Sequence, residues 1–71
     1  TMTPTLISFC DIDNNLRYVN INNIEVIKFA DSRNLNMEKM CIRYRSGVVI
    51  ECGVSSSVAT IIKKKLNSFV V

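Results

Sequence analysis

The stretch Lys39-Met40-Cys41-Ile42-Arg43-Tyr44-Arg45-Ser46-Gly47-Val48-Val49-Ile50-Glu51-Cys52 decides the fold. Apolar and polar side chains alternate on either side of Arg45-Ser46-Gly47, the period-two pattern of two strands joined by a tight turn. A three-residue loop over Arg45, Ser46 and Gly47 sets Tyr44 opposite Val48, Ile42 opposite Ile50 and Met40 opposite Cys52. That register gathers the apolar residues on one face. Gly47 then holds the last loop position, where a positive φ is needed and glycine pays no steric cost. The reverse face carries Lys39, Cys41, Arg43, Val49 and Glu51, with Arg43 and Glu51 as diagonal neighbours.

Upstream, Ile24-Glu25-Val26-Ile27-Lys28-Phe29-Ala30 reads as a strand with apolar groups on both faces, so it is expected to be central or covered on both sides. The polar stretch from Asp31 to Glu38 is then a long, mobile loop from which Leu35 and Met37 fold back onto the body. Nearer the N-terminus, Thr5 to Cys10 and Leu16 to Ile21 form another hairpin. A loop of Asp13, Asn14 and Asn15 sets Phe9 opposite Val19, Ile7 opposite Ile21 and Asp11 opposite Arg17, with Asn15 taking the positive φ. Tyr18 falls on the face away from Phe9, free to be exposed.

Downstream, Gly53 ends the sheet and a helix runs from Val54-Ser55 to about Phe69, with Ser55 or Ser56 accepting a hydrogen bond from a first-turn amide. Val58, Ile61, Ile62, Leu66 and Phe69 form its apolar stripe, and Lys63, Lys64 and Lys65 favour its C-terminal dipole. The expected architecture is α+β: an antiparallel β-meander of about five short strands with one C-terminal amphipathic helix packed on it. It occupies residues 5–71 as a single domain. Residues 1–4 are expected to be disordered or foreign, with Met2 the natural start. The apolar groups of Ile24, Val26, Ile27 and Phe29 exceed what one helix covers, so the sheet curls toward a barrel or those four side chains meet a partner, in particular a second copy.

Residues 18 to 29, residues 41 to 52 and the helix opening at Ser55 follow the order V-N-(apolar)-x-x-I-x-x-I, then I-x-(apolar/aromatic)-x-x-G-x-x-I, then a serine-capped helix. Over roughly residues 16 to 69 this resembles the FlbD/SwrD-like group of very small bacterial proteins associated with flagella, a resemblance that implies no catalytic activity. It is also similar to the C-terminal half of LytTR DNA-binding domains. Those domains place a basic residue after the serine that follows the last strand, where this chain has Ser56 and Ser57.

With 71 residues, 48% of them hydrophobic and 21% charged, the chain has too small a core for a deep enclosed pocket, which disfavours a self-contained enzyme. Histidine is absent, so the commonest general base and zinc ligand is missing. Asp11-x-Asp13-x-Asn15 starts like a calcium loop but has Leu16 and Asn22 where glycine and glutamate belong. No catalytic residue, metal or cofactor is therefore expected. Cys10, Cys41 and Cys52 lack metal-ligand spacing and read as small buried hydrophobes in a reducing compartment; a Cys41–Cys52 bridge is the alternative. No run nears the roughly 18 apolar residues of a membrane span and no signal segment opens the chain, so a cytoplasmic location is expected.

Nine Lys and Arg against six Asp and Glu leave a net charge of +3. The two function classes that remain are a non-enzymatic bacterial or phage-encoded protein-interaction module and a small nucleic-acid-binding protein. The first presents a sheet edge or an apolar surface to a protein. The second uses Lys39, Arg43, Arg45, Lys63, Lys64 and Lys65 against phosphates, with Tyr18 available to stack on bases.

Overall fold

The structure is a computed structural model and describes residues 5–69. The expectations for residues 1–4, and for positions 70 and 71 at the end of the domain, lie outside those residues. The fold is α+β. Strands β1 (Leu6–Cys10) and β2 (Leu16–Asn20) form a two-stranded antiparallel sheet, and a short 3-10 turn over Ile21–Asn23 leads to β3 (Ile24–Asp31). Strands β3, β4 (Met37–Tyr44) and β5 (Val49–Ser55) form a second antiparallel sheet in that spatial order, followed by helix α1 (Ser56–Asn67).

The β4–β5 hairpin has the register its sequence dictates. Met40 faces Cys52 and Ile42 faces Ile50, the Tyr44 amide donates to the Val48 carbonyl at 2.9 Å, and Gly47 takes φ +94°. Gly53, however, does not end the sheet, because β5 continues to Ser55. A β-carbon at Gly53 would lie 2.8 Å from Met37 Cε and 3.1 Å from Ile12 Cγ2, while the Ile12 amide donates to the Gly53 carbonyl at 2.9 Å. The glycine is there so that the β1–β2 loop can close on the strand.

The β1–β2 loop is of the expected three-residue kind but is displaced by one residue. It comprises Ile12, Asp13 and Asn14, with Asn14 rather than Asn15 at positive φ (66°), so Phe9 faces Arg17 and Ile7 faces Val19. The cause is Asp11. Its carboxylate accepts from the amides of Asp13 (3.0 Å) and Asn15 (2.9 Å), and its own amide donates to the Asn15 carbonyl, which anchors the loop one residue earlier. A one-residue displacement of both loop ends moves the pairing by two, so the faces are preserved. Ile7, Phe9 and Val19 still point inward, and Arg17 still reaches Asp11.

Two further expectations are corrected. β3 is an edge strand rather than a central one, and the sheets do not close into a barrel. The surplus apolar side chains of β3 are absorbed instead by the core: Ile24, Ile27 and Phe29 pack against it from one face of the three-stranded sheet. The loop between β3 and β4 spans only residues 32–36; Met37 opens β4 and contacts the body, whereas Leu35 is almost wholly exposed.

Helix α1 and the β1–β2 hairpin cover this inner face of the three-stranded sheet. The core comprises Ile7, Phe9 and Val19 from the hairpin, Met40, Ile42 and Val54 from β4 and β5, and Ala59 and Ile62 from the helix. Burial of each large side chain contributes about 1.5–3 kcal/mol before conformational entropy is deducted. Ser55 caps the helix, accepting from the Val58 amide at 3.2 Å. The buried stripe runs through Val58, Ala59, Ile62 and Leu66; Ile61 is exposed on its flank, and Phe69 lies past the last helical residue and is also exposed. Ala59, fully buried, belongs to that stripe where the expected Ile61 does not.

Candidate interaction surface

The hairpin positions that alternate with Ile7, Phe9 and Val19 form an outer face. They are Leu6, Ser8 and Cys10 on β1 and Leu16, Tyr18 and Asn20 on β2, paired Leu6 with Asn20, Ser8 with Tyr18 and Cys10 with Leu16. Leu6, Leu16 and Tyr18 are 60%, 58% and 66% exposed, and none of the six residues is charged. Both faces of this two-stranded sheet therefore carry large apolar side chains, one set buried in the core and the other open to solvent. Leu6, Leu16 and Tyr18 thus share one solvent-facing side of the sheet, an exposed apolar group of the size that often marks a contact surface. The sequence carries the signal, since apolar residues occupy both alternating sets of Leu6-Ile7-Ser8-Phe9-Cys10. The partner surface expected from the sequence, Ile24, Val26, Ile27 and Phe29, omits Leu6 and Leu16.

Asp11 closes the inner side of the same hairpin. Arg17 Nε donates to its carboxylate at 2.6 Å, and only 2% of the Asp11 side chain is exposed. That hydrogen bond, reinforced by the Asn15 and Asp13 amides and by the Arg17 charge, outweighs desolvation and holds the Asp11 carboxyl below the usual carboxylate range. Arg17 is pushed up in turn by the same bond. Burial raises the Cys52 thiol, against the opposing charge of Arg17, so it is the less reactive protonated form that sits there.

The outer face of the three-stranded sheet is charged. Lys39 pairs with Glu51 at 3.1 Å and Arg43 with Glu25 at 3.6 Å, beside Val26, Lys28 and Val49. Glu51 thus engages Lys39 in place of its other diagonal neighbour, Arg43. Glu25 reaches Arg43 because a bulge between Ile24 and Val26 turns both Glu25 and Val26 toward the same partner residue. Such exposed pairs are worth only a few tenths of a kcal/mol.

The six basic residues expected to act together do not converge. Lys39 and Arg43 lie on that outer face, and Arg45, in the β4–β5 turn, donates from Nε to the Asn22 carbonyl at 3.3 Å. Lys63 lies on the helix, on the other side of the sheet, bound to Glu38 at 2.8 Å and 4.9 Å above the Phe29 ring; Lys64 and Lys65 are exposed in its last turn. Tyr18 stands among Leu6 and Leu16 rather than beside any of them. Of the four apolar residues expected to meet a partner, Ile24, Ile27 and Phe29 face the core, and Val26 alone lies on the open charged face.

The three cysteines are free. Cys10 is exposed on the hairpin's outer face, a correction to its expected burial, whereas Cys41 and Cys52 are half-buried. Cys41 faces Glu51 and Cys52 faces Met40, which directs the two thiols to opposite faces of the sheet and rules out a bridge between them. Among the described residues, the void inside the core is only about 10 Å³, too small for a ligand. A wider cleft of about 410 Å³ opens between the 32–36 loop and the start of the helix, where Asp31, Glu38 and Lys63 meet Asn34 and Leu35. No helix among the described residues is long and apolar enough to cross a membrane. Compared with protein-family models, with curated proteins and with solved structures, the chain matches none.

Proposed function

We propose that this chain is a non-enzymatic protein-interaction module that docks through the outer face of the β1–β2 hairpin. The observation that carries the reading is the uncharged cluster of Leu6, Leu16 and Tyr18, each more than half exposed, on a sheet whose other face is already packed. Covering such a cluster gains about 25 cal/mol per Å² of apolar surface removed from water. The hairpin loop is held on β5 by the Ile12 amide on the Gly53 carbonyl, and the segment after β2 on the β4–β5 turn by the Arg45 amide on the Asn23 carbonyl, so its backbone has little freedom to lose on docking.

The test is a photo-crosslinking amino acid in place of Tyr18, with the same group in place of Lys28 on the charged face as the control. In the source cells, position 18 is expected to yield a discrete protein adduct and position 28 none. Equal labelling at the two positions, or none at 18, removes the reading.

A further inference from the structure

Resting on that reading, we infer that the occupant of the hairpin's outer face is a second copy of the same chain, related by a two-fold axis that stacks the two β1–β2 sheets face to face.

Charge is the first argument. The chain carries a net +3, and a contact face that itself bears no charge adds no local like-charge opposition between two copies. The outer face of the three-stranded sheet displays Glu25, Lys28, Lys39, Arg43 and Glu51, whereas the hairpin's outer face displays no charge at all. A dissimilar partner selected by charge finds nothing to complement there. A neutral face rich in leucine and tyrosine is complementary to itself, as an isologous contact requires.

Area is the second argument. Leu6, Ser8, Cys10, Leu16 and Tyr18 together expose on the order of 500 Å², so two copies could bury at most on the order of 1,000 Å² through them, a contact at the small end of specific interfaces that fits a reversible dimer. Geometry agrees with both. Stacking two such sheets face to face at about 10 Å would place the outer side chains of each copy against those of the other. Tyr18, with its large ring and only two side-chain torsions, is suited to the centre of such a contact.

Sedimentation across a concentration series tests the inference on the full chain. The wild type is expected to dimerise reversibly. Leu16→Glu and Tyr18→Lys are each expected to raise the dissociation constant about tenfold or more, while Val49→Glu on the charged face leaves it unchanged. Leu16→Gln, with far-ultraviolet circular dichroism, separates loss of contact from loss of fold. Cys10 reports independently: its rate of alkylation should fall as protein concentration rises, with Cys41 as the internal reference.

A wild type that stays monomeric at several hundred micromolar overturns the inference. So does a dimer that survives Leu16→Glu and Tyr18→Lys but is lost on Val49→Glu. The crosslinked adduct at position 18 distinguishes the two claims. A product of twice the chain mass supports both, an adduct of any other mass leaves the docking face standing and removes the second copy, and no adduct removes both.

Discussion

Asp11 accepts three hydrogen bonds on one carboxylate, from Asp13 in the β1–β2 loop, from Asn15 just after it and from Arg17 on β2. Because its carboxyl is held below the ordinary value of 3.8, the group's contribution to stability is complete above that value and is lost as the pH falls through the lower, folded-state one. The midpoint of urea unfolding is therefore expected to be insensitive to this group between pH 5 and 7 and to decline below about pH 4. Asp11→Asn should lower the midpoint at pH 7 and flatten that acid decline; parallel acid profiles for the two proteins would count against the assignment. At Gly53, substitution meets one movable neighbour and one fixed one. The tip of Met37 can swing aside, but Ile12 is tied to the Gly53 carbonyl. Gly53→Val is expected to cost about 1–3 kcal/mol, with Gly53→Ala costing clearly less, as read by chemical denaturation.

The two hairpins differ in how much of each is specified by its own sequence. In β4–β5 the residue that needs positive φ is a glycine, and Gly47 alone fits, so loop length, register and faces all follow. In β1–β2 two adjacent asparagines both tolerate that conformation, and the choice between them is made by the Asp11 side chain, which a pattern of apolar spacing does not reveal. Helix α1 was legible in its start and cap. Its buried stripe was read through Ile61 where Ala59 belongs, since a small residue at a close approach looks like a surface residue in sequence. Removing the cap by Ser55→Ala is expected to cost about 1 kcal/mol and to lower the thermal midpoint by several degrees, measured by circular dichroism. Ile42→Ala, in the middle of β4 and under both the helix and the hairpin, should cost about 2–5 kcal/mol by the same measurement.

Across the whole molecule, what the sequence left open was placement over long range: β3 at the edge of its sheet, the hairpin on the inner face, and basic residues on both sides of the sheet. None of these follows from local periodicity, because strand order depends on which surfaces meet after the elements form. The divided basic residues bear on the nucleic-acid reading directly. With Lys39 and Arg43 on one side of the sheet and Lys63 to Lys65 on the other, any affinity for duplex DNA or RNA at about 50 mM salt should be weak, with a shallow slope against log salt corresponding to one or two phosphate contacts. A steep slope would revive a phosphate-binding role. The bulge between Ile24 and Val26 has a different consequence at this scale. An eight-residue outermost strand with the sequence IEVIKFAD is long and oily enough to recruit identical strands into an open-ended, amyloid-like stack. The kink that brings Glu25 around to Arg43, together with the ammonium of Lys28, spoils the flat register such growth requires, so straightening the β3 ladder is expected to speed thioflavin-positive fibril growth relative to the wild type.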